Sequence, residues 1–263
     1  MQKIISWNVA SVRARMPLLS EFLRSEKPDI MLLQEIKATD ENFPFFELQM
    51  EGYSAVISGQ KGYNGVAILS RLPLKNIQGN LVGFEDQARF IQAETTTGVV
   101  VICVYVPNGN PPEKDLTDKS RLRYKIDWMA GLKRQIEILK AAGKEIILGG
   151  DFNVIERDMD VYNPEVFRES ALMIAGVRRA YAEMMTGNLA NMIRKFNLYP
   201  GTYSFWDFQG GAWPRNNGIL LDAIWVTSGI EKRVKDSKIY KELRAASGTS
   251  DHVPISILLE DIL

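Results

Sequence analysis

Residues 146–153, IILGGDFN, carry the pattern that decides the fold. The stretch opens with an unbroken apolar run, which is typical of a strand covered on both faces. Two glycines then let the backbone bend sharply, so that Asp151 and Asn153 leave the strand together. An Asx turn is the simpler explanation of that pair, since Asp and Asn are common turn formers. The stretch predicts a buried strand that ends in a carboxylate and an amide.

Similar apolar runs recur along the chain and alternate with a few helical segments. Strands are predicted at residues 3–7, 30–34, 53–58, 66–70, 89–95, 99–106, 145–149, 222–226 and 253–258. Helices are predicted at 121–142, where apolar residues recur every three or four positions until Gly143, and at 18–25 and 177–185. Strands that are apolar on both faces need cover from both sides, so the pattern favours a layered α/β structure.

Length and composition favour one domain, residues 1–263. With 46% hydrophobic residues the chain can bury one large core, and the Pro- and Gly-rich breaks at 107–112 and 210–218 are too short for linkers. Lys and Arg total 32, as do Asp and Glu, so net charge gives no indication of a nucleic-acid partner. Cys103 is the only cysteine, which excludes an internal disulfide. No apolar run suits a signal peptide or a bilayer span, so we expect a cytoplasmic monomer without membrane contact.

Polar side chains stand where five of the apolar runs begin or end. They are Asn8, Glu35, Asn108, Asp151 with Asn153, and Asp251 with His252. Taken singly, each is most simply a turn former. If these ends converge on one edge of the sheets, however, they create a site for a hard cation with an imidazole beside it.

His252 is the only histidine in the chain. It is either an incidental surface group or the one side chain that exchanges protons near neutral pH. Neighbouring residues on an extended segment point to opposite sides, so Asp251 is a poor candidate for orienting the ring. Asp222, at the start of a predicted strand, is the better candidate.

Seven short motifs occur in order along nearly the whole chain. They are WNV at 7–9, LQE at 33–35, KGYNGVA at 61–67, YVPNG at 105–109, GDFN at 150–153, NNG at 216–218 and SDHVP at 250–254. In this order they resemble the exonuclease III family of abasic-site endonucleases, in the endonuclease/exonuclease/phosphatase superfamily. Residues 157–164 and 206–213 resemble a bacterial branch of that family. The resemblance implies a DNase I-like fold, a four-layer α/β sandwich with two central mixed β-sheets flanked by helices.

The resemblance also implies a role for each polar residue at the strand ends. Glu35 would be the principal Mg²⁺ ligand, with Asn8 and Asp251 close to it and Mn²⁺ able to substitute. Asp151 would activate the attacking water, and Asn153 would hold that water and a phosphate oxygen. Phosphate oxygens would accept hydrogen bonds from Tyr105, Asn108 and protonated His252, the last oriented by Asp222. Such groups suit phosphodiester hydrolysis because negative charge builds up on the phosphoryl oxygens and the leaving 3′-oxygen.

Recognition of the lesion is expected in residues 205–221. The resemblance implies a small apolar pocket that admits a flipped-out sugar without its base, lined by Phe205, Trp206, Ile219 and Leu221. Such side chains near a loop are also common in a core. Arg89 is expected either to hydrogen-bond neighbouring carboxylates or to be an exposed cation at a strand end. Lys125 is expected either to contact a backbone phosphate or to lie on a solvated helix face.

Two places depart from the family pattern. Ala10 and Ser11 stand where the family usually carries Asn or Asp followed by Gly, and the side chain of Ala10 cannot bind a metal. Leu220 stands where an arginine is common in relatives. We therefore expect one-metal chemistry and one basic contact fewer.

The function expected from the sequence is that of an Mg²⁺-dependent DNA phosphodiesterase of base excision repair. It would nick double-stranded DNA 5′ to abasic sites and trim 3′ ends as a 3′–5′ exonuclease and a 3′-phosphodiesterase or phosphatase. Two alternatives stay open at this point. One is a superfamily hydrolase that acts on phosphoinositides, sphingomyelin or RNA tails, since the fold does not fix the substrate. The other is a nucleic-acid-binding relative with reduced catalysis.

Overall fold

The computed structural model describes residues 1–185 and 189–263, and within them twelve strands form two six-stranded sheets. The strands are β1 (Gln2–Asn8), β2 (Ile30–Gln34), β3 (Ser54–Ser58), β4 (Val66–Ser70), β5 (Leu74–Gln78), β6 (Phe90–Thr95), β7 (Val100–Tyr105), β8 (Ile146–Asp151), β9 (Leu189–Asn191), β10 (Asp222–Thr227), β11 (Val234–Ile239) and β12 (Ile255–Leu259). The first sheet has the order β11-β12-β1-β2-β4-β3, and the second β5-β6-β7-β8-β10-β9. Both are mixed, because β1–β2 and β7–β8 are parallel and the remaining pairs are antiparallel.

The helices of the described residues are α1 (Val12–Glu26), α2 (Phe45–Met50), α3 (Ser120–Ala141), α4 (Pro164–Phe167), α5 (Ala175–Met184), α6 (Met192–Phe196) and α7 (Ser228–Glu231). Helices α1 and α2 pack on the outer face of the first sheet and α3 and α5 on that of the second, whereas α6 and α7 pack against the core between the sheets. On the first sheet, Leu19 of α1 packs in one core with Ile5. On the second, Trp128 of α3 and Val177 of α5 pack with Ile102. Among the described residues, no helix combines the length and the apolar character needed to cross a membrane.

The continuous apolar runs are explained by cores on both sides of each central strand. Successive side chains of a strand point to opposite faces. Ile4 therefore packs between the two sheets, whereas Ile5 packs beneath α1. Ile147 and Leu148 of β8 divide in the same way between the inner core and the core beneath α3.

Cys103, on β7, is fully buried in the core between the sheets. Its Sγ lies 3.3 Å from the carbonyl oxygen of Leu33 and 3.2 Å from Nε2 of Gln34. Burial raises the pKa of this thiol to about 12, so it stays protonated at neutral pH. It is a strand thiol without a disulfide partner in the chain.

The predicted four-layer α/β sandwich with two central mixed β-sheets is confirmed, and the predicted strands are present with small shifts at their ends. The apolar pattern does not indicate β5, β9 and β11. These three strands lie at sheet edges, where β5 and β11 carry polar residues on the side that faces solvent and β9 is only three residues long. The helix predicted at 18–25 begins at Val12, because the hydroxyl of Ser11 accepts from Ala14 N and starts it earlier.

One edge of the sandwich collects the polar strand ends. The strands β1 and β2 are parallel, so they end side by side, with Asn8 opposite Gln34. The strands β7 and β8 do the same, with Tyr105 opposite Asp151. The antiparallel strand β10 begins at this edge and places Asp222 on the other side of Asp151. The predicted convergence of strand ends is therefore present.

Candidate active site

Asp151 lies at the centre of the site, at the end of β8. A side chain on the preceding residue, Gly150, would place its Cβ 2.0 Å from the carbonyl oxygen of Val104, so only glycine fits there. The carboxylate is 2% exposed. Its Oδ1 accepts from Asn153 N at 2.9 Å, and its Oδ2 accepts from Nδ2 of Asn8 at 3.0 Å. Burial raises the pKa of Asp151 to about 7, although the nearby charge of His252 opposes this.

His252 is buried between two carboxylates. Its Nδ1 lies 2.8 Å from Oδ2 of Asp222, and its Nε2 lies 3.6 Å from Oδ2 of Asp151. Burial alone would lower the pKa of the ring, but the charges of Asp222 and Asp151 outweigh it and raise the pKa to about 10. The imidazole is therefore a cation at neutral pH, as a ring between two acids is expected to be.

Three further contacts fix the position of this ring. The hydroxyl of Ser204 donates to Oδ2 of Asp222 at 2.6 Å, which holds the carboxylate in place. The indole nitrogen of Trp7 donates to the carbonyl oxygen of His252 at 3.0 Å. The ring of Phe205 lies 4.9 Å from the imidazole, centroid to centroid. The histidine is held on its polar and its apolar side.

Glu35 is the second acidic group of the site and lies at the end of β2. Its Oε1 accepts from the hydroxyl of Tyr105 at 2.8 Å and from Nδ2 of Asn8 at 3.1 Å. Its Oε2 lies 2.9 Å from Nζ of Lys37. Burial would raise the pKa of Glu35, but the hydrogen bond and charge of Lys37 lower it. The side chain is 20% exposed, so solvent reaches this carboxylate.

Asn8 joins the two acidic groups. Its Nδ2 donates to both Glu35 and Asp151, while its Oδ1 accepts from Ala10 N at 3.1 Å. The amide nitrogen, and not the oxygen, therefore faces the carboxylates. Metal binding through the side chain of Asn8, which the resemblance implies, requires its oxygen to turn away from Ala10.

Asp251 is half-buried and connects to this group through Ser250. The hydroxyl of Ser250 lies 3.1 Å from Oδ1 of Asp251 and 2.8 Å from the carbonyl oxygen of Asn8. The adjacent His252 lies in the Asp151–Asp222 group instead. The opposite orientation of these neighbours agrees with the alternation of an extended segment.

The acidic residues suit a divalent metal. The ligand atoms of Asp151, Asp222 and His252 lie within 4.8 Å of one another and form a cluster that could hold a cation. Both ring nitrogens, however, already face a carboxylate in that cluster. Glu35 offers oxygen ligands and contact with solvent, which suits a hard cation that keeps several waters. A cation at Glu35 would take the place of the Lys37 ammonium.

The two asparagines that follow β7 and β8 meet beside Asp151. Nδ2 of Asn108 donates to Oδ1 of Asn153 at 3.2 Å, and Nδ2 of Asn153 donates to the carbonyl oxygen of Val106 at 3.0 Å. Asn153 has a φ of 50°, a left-handed conformation that asparagine tolerates. Asn108 is exposed, so its amide is available to a ligand.

Both predictions for Lys125, a contact with a backbone phosphate and a position on a solvated helix face, are wrong. The residue lies on α3 but is 0% exposed, so it is neither on a solvated helix face nor able to contact DNA. Its ammonium group donates to three main-chain carbonyl oxygens beneath the asparagines. The sequence could not reveal this, because the three acceptors lie on segments distant from the helix in sequence.

Arg89 also differs from its expected role. Its Nε donates to Oε1 of Gln87 at 2.6 Å and its Nη1 to the carbonyl oxygen of Tyr105 at 3.2 Å, so neither acceptor is a carboxylate. Its guanidinium lies 4.6 Å from the centroid of the Tyr105 ring. With Asn108 and Arg121 it lines an open cavity of about 480 Å³ beside the site. The strand-end position that suggested an exposed cation is half-buried.

The predicted lesion pocket is only partly assembled. Phe205, Ile219 and Leu221 share one apolar cluster, and Phe205 lies against the imidazole of His252. Trp206 is wrong as a pocket-lining residue because it is 0% exposed. Its ring packs in a separate cluster that includes Val253, so the tryptophan supports the loop from inside.

Several site contacts have little signal in the sequence. Lys37 lies two residues beyond Glu35, both have a φ of 51°, and the sequence does not indicate the turn in which they pair. Ser204 and Ser250 are ordinary loop serines in the sequence. The contacts of Ser204 with Asp222 and of Ser250 with the carbonyl oxygen of Asn8 arise only when the strands assemble.

The chain is similar to known nucleases in sequence and in fold. Residues 5–252 match the Endonuclease/Exonuclease/phosphatase family. The chain is 31% identical to an exodeoxyribonuclease of Bacillus subtilis (strain 168), with 98% of this chain and 99% of that protein covered. An AP endonuclease from Archaeoglobus fulgidus has a TM-score of 0.93 at 30% identity, covering 99% and 100%. The 3′ phosphatase NExo from Neisseria, bound to product DNA hairpin, has a TM-score of 0.93 at 32% identity, with the same coverage.

Proposed function

We propose a function from one premise: the chain belongs to the Endonuclease/Exonuclease/phosphatase family and is a phosphodiester hydrolase. The resemblance to the exonuclease III family is confirmed by its exodeoxyribonuclease and AP endonuclease relatives. We infer that the substrate is duplex DNA, which the enzyme nicks 5′ to abasic sites and trims at 3′ ends in base excision repair. The observation that carries the proposal is the meeting of Asp151, Asp222, His252 and Glu35 at one edge of the sandwich.

Asp151 is assigned to the attacking water. Its pKa, raised to about 7, makes it a stronger base than an exposed carboxylate, so it accepts a proton more readily near neutral pH. Asn153 N anchors Oδ1 of Asp151, and Asn8 anchors Oδ2. In this assignment Asp151 takes the proton of the water as the water attacks phosphorus, while Asn153 orients the water.

His252 is assigned to the phosphoryl oxygens. Asp222 fixes the proton on Nδ1, so the cationic ring keeps a second N–H on Nε2 for a ligand. Asn108 provides a further donor at the same edge, and Tyr105 provides another once its O–H turns away from Oε1 of Glu35. Donors that are already in place, such as Nε2 of His252 and the exposed amide of Asn108, stabilise the charge that develops on the phosphoryl oxygens without having to reorganise.

A single metal ion at Glu35 completes the proposal. Glu35 would be its principal ligand, with Asp251 and Asn8 beside it, and Mg²⁺ is the hard cation that suits these oxygens, with Mn²⁺ as a substitute. When bound, the ion would stabilise negative charge on the phosphate and the leaving oxygen. Ala10 adds no side-chain ligand, which favours one metal.

Selection of abasic sites is assigned to the apolar cluster beside His252. Phe205 offers a partly exposed apolar surface against the His252 ring, and the buried Ile219 and Leu221 pack in the same cluster, which suits a sugar that carries no base. Arg89 lines the adjoining cavity with Asn108, where a neighbouring part of the strand would bind.

The proposal is tested by one assay on several substrates. A duplex with a single abasic site should be nicked 5′ to the lesion with Mg²⁺ and left intact with EDTA. The comparison set contains an undamaged duplex, a 3′-recessed duplex, a 3′-phosphate and an RNA strand. Equal cleavage of the undamaged duplex contradicts lesion selection, and a preference for RNA indicates another substrate class in the superfamily.

A further inference from the structure

Lys125 is a buried cation beneath the site. It is the sixth residue of α3 and is 0% exposed. Its Nζ donates to the carbonyl oxygens of Asn108 at 3.0 Å, Asn153 at 2.6 Å and Ala171 at 2.7 Å. An ammonium group has three donors, so this lysine is fully used inside the protein.

The three acceptors belong to three different segments. Asn108 follows β7, Asn153 follows β8, and Ala171 lies in the connection before α5. The first two also carry the amides that hydrogen-bond to each other at 3.2 Å. One ammonium group therefore joins the main chain beneath both amides to a helix that lies outside the sheets.

Gly109 shows how closely the loop lies on the lysine. It has a φ of 84°, and a Cβ there would lie 2.7 Å from Cδ of Lys125 and 3.3 Å from Cβ of Ala171. The absence of a side chain lets the loop close over the lysine stem. Oδ1 of Asn110, the next residue, accepts from Ala171 N at 2.8 Å, which adds a second connection between the same segments.

A charge in such surroundings is costly, because burial of an ammonium group removes its hydration. The hydrogen-bond acceptors of Lys125 are neutral carbonyls, so no ion pair offsets that cost directly. Burial accordingly lowers the pKa of the lysine, although the charge of Asp151 opposes this. Fixed carbonyls around a cation restrict how the segments that carry them can move.

We infer that Lys125 is a positioning residue, which fixes the main chain of Asn108 and Asn153 so that their side-chain amides meet the scissile phosphate in the correct geometry. It does so without touching DNA. The inference rests on the proposed function, in which these two amides contact the phosphate and the attacking water. It predicts an effect on turnover more than on substrate binding.

The first test replaces Lys125 with methionine in the full chain. Lys125→Met keeps the length of the stem but removes the three donors, and kcat for nicking should fall by about 10²-fold, as expected for small misplacements of catalytic groups. KM should change by less than about threefold, since Lys125 does not contact DNA. Lys133→Met, on a more exposed part of the same helix, is the matched control and should retain the wild-type kcat. An unchanged kcat in folded Lys125→Met overturns the inference.

Non-additivity separates positioning from stability. In an Asn108→Ala, Asn153→Ala background the amides are gone, so adding Lys125→Met should lower kcat by less than about twofold. A full 10²-fold loss in that background means that the lysine acts by another route. If Lys125→Met fails to fold, Gly109→Ala is the second variant. Its methyl group would push the loop away from the side chain of Lys125 while the ammonium charge stays in place. Wild-type kcat in Gly109→Ala then counts against the inference.

A readout without catalysis keeps the inference separate from the proposed function. In ¹⁵N-labelled protein, the side-chain amide signals of Asn108 and Asn153 should shift in Lys125→Met, while that of Asn197, which bonds within α6 and to Ser237, should not. Unchanged amide signals overturn the positioning role. If these signals shift but the wild-type chain cleaves none of the substrates, the proposed function fails and the positioning role stands.

Discussion

The site has two halves that differ in access to solvent. The sealed half is Asp151, Asp222 and His252, and all three side chains are buried, with the ring held between two carboxylates. The open half is Glu35, Lys37 and Asp251, where side chains reach solvent and Glu35 is paired with the partly exposed ammonium of Lys37. In the proposed function, the sealed half transfers a proton and the open half binds a cation, and these two tasks place opposite demands on solvent access. Burial is what shifts the pKa of Asp151 and brings the charges close to His252, whereas a hydrated ion needs access to solvent.

The largest effect should come from breaking the sealed half. Asp151→Asn keeps the shape but removes the base, and we expect kcat for nicking to fall by about 10³-fold, within the range typical of general bases. His252→Ala should cause a similar loss because it removes the cationic donor. DNA binding, measured by fluorescence anisotropy, should persist in both. Near-normal turnover in either variant would show that the sealed half is not catalytic.

The next effect should come from the open half. Glu35→Gln removes the charge of the proposed metal ligand. The Mg²⁺ concentration for half-maximal nicking should therefore rise by at least about tenfold, since mutating even a hydrogen-bond partner of a metal ligand lowers metal affinity by that much. Metal titration of the nicking rate measures this. The matched control is Glu41→Gln, an exposed carboxylate of the short helical turn Asp40–Asn42. If the Mg²⁺ requirement is unchanged in Glu35→Gln, the cation binds elsewhere.

The protonation of His252 gives a smaller but more specific effect. In metal-free protein the ring should titrate near pH 10, and Asp222→Asn should lower this pKa towards the ordinary value of 6.5. Because the folded-state pKa is raised, the stabilisation from this pair is fully present below about pH 6.5 and is lost as pH rises towards 10. NMR titration of the single histidine measures the first effect, and urea unfolding of both proteins across that range measures the second. A wild-type ring that titrates near 6.5 contradicts the sealed arrangement.

The smallest effect should come from Lys37. Its pair with Glu35 is partly exposed, so Lys37→Met should change the free energy of unfolding by less than about 1 kcal/mol. Removing the competing ammonium should also lower the Mg²⁺ concentration needed for nicking. Chemical denaturation and metal titration check the two effects. A large loss of stability would mean that the Lys37–Glu35 pair stabilises the fold and that solvent does not screen it, contrary to the description of the open half.

The sequence predicts those parts of the fold that depend on the local pattern of apolar residues. The central strands have continuous apolar runs because cores lie on both their faces, and their parallel pairing brings the strand ends together. The edge strands β5 and β11 are not indicated, because a strand with one side in solvent carries polar residues that resemble a loop, and β9 is not indicated because three residues are too few to show a pattern. The spacing of apolar residues along the chain indicates which segments are buried, but it does not indicate which strands pair.

The site shows the same division. Asp222 could be favoured as the partner of His252 because alternation along a strand excludes Asp251, and the two lie 2.8 Å apart. Lys125 and Trp206 could not be placed, since each looks like a common surface or pocket residue until distant segments close over it. The sequence alone does not show which loops meet. The burial of a cation such as Lys125 depends on those contacts between loops.

The thiol of Cys103 gives the protein a built-in reporter of its own opening. It lies between the two sheets with its Sγ against Leu33 and Gln34, and burial raises its pKa to about 12, so a thiol reagent reaches it only when the sheets part. Because the chain contains no second cysteine, every labelled molecule is one in which the sandwich has opened at Cys103. The rate of labelling in native buffer thus measures separation of the sheets, without denaturant and without an introduced probe.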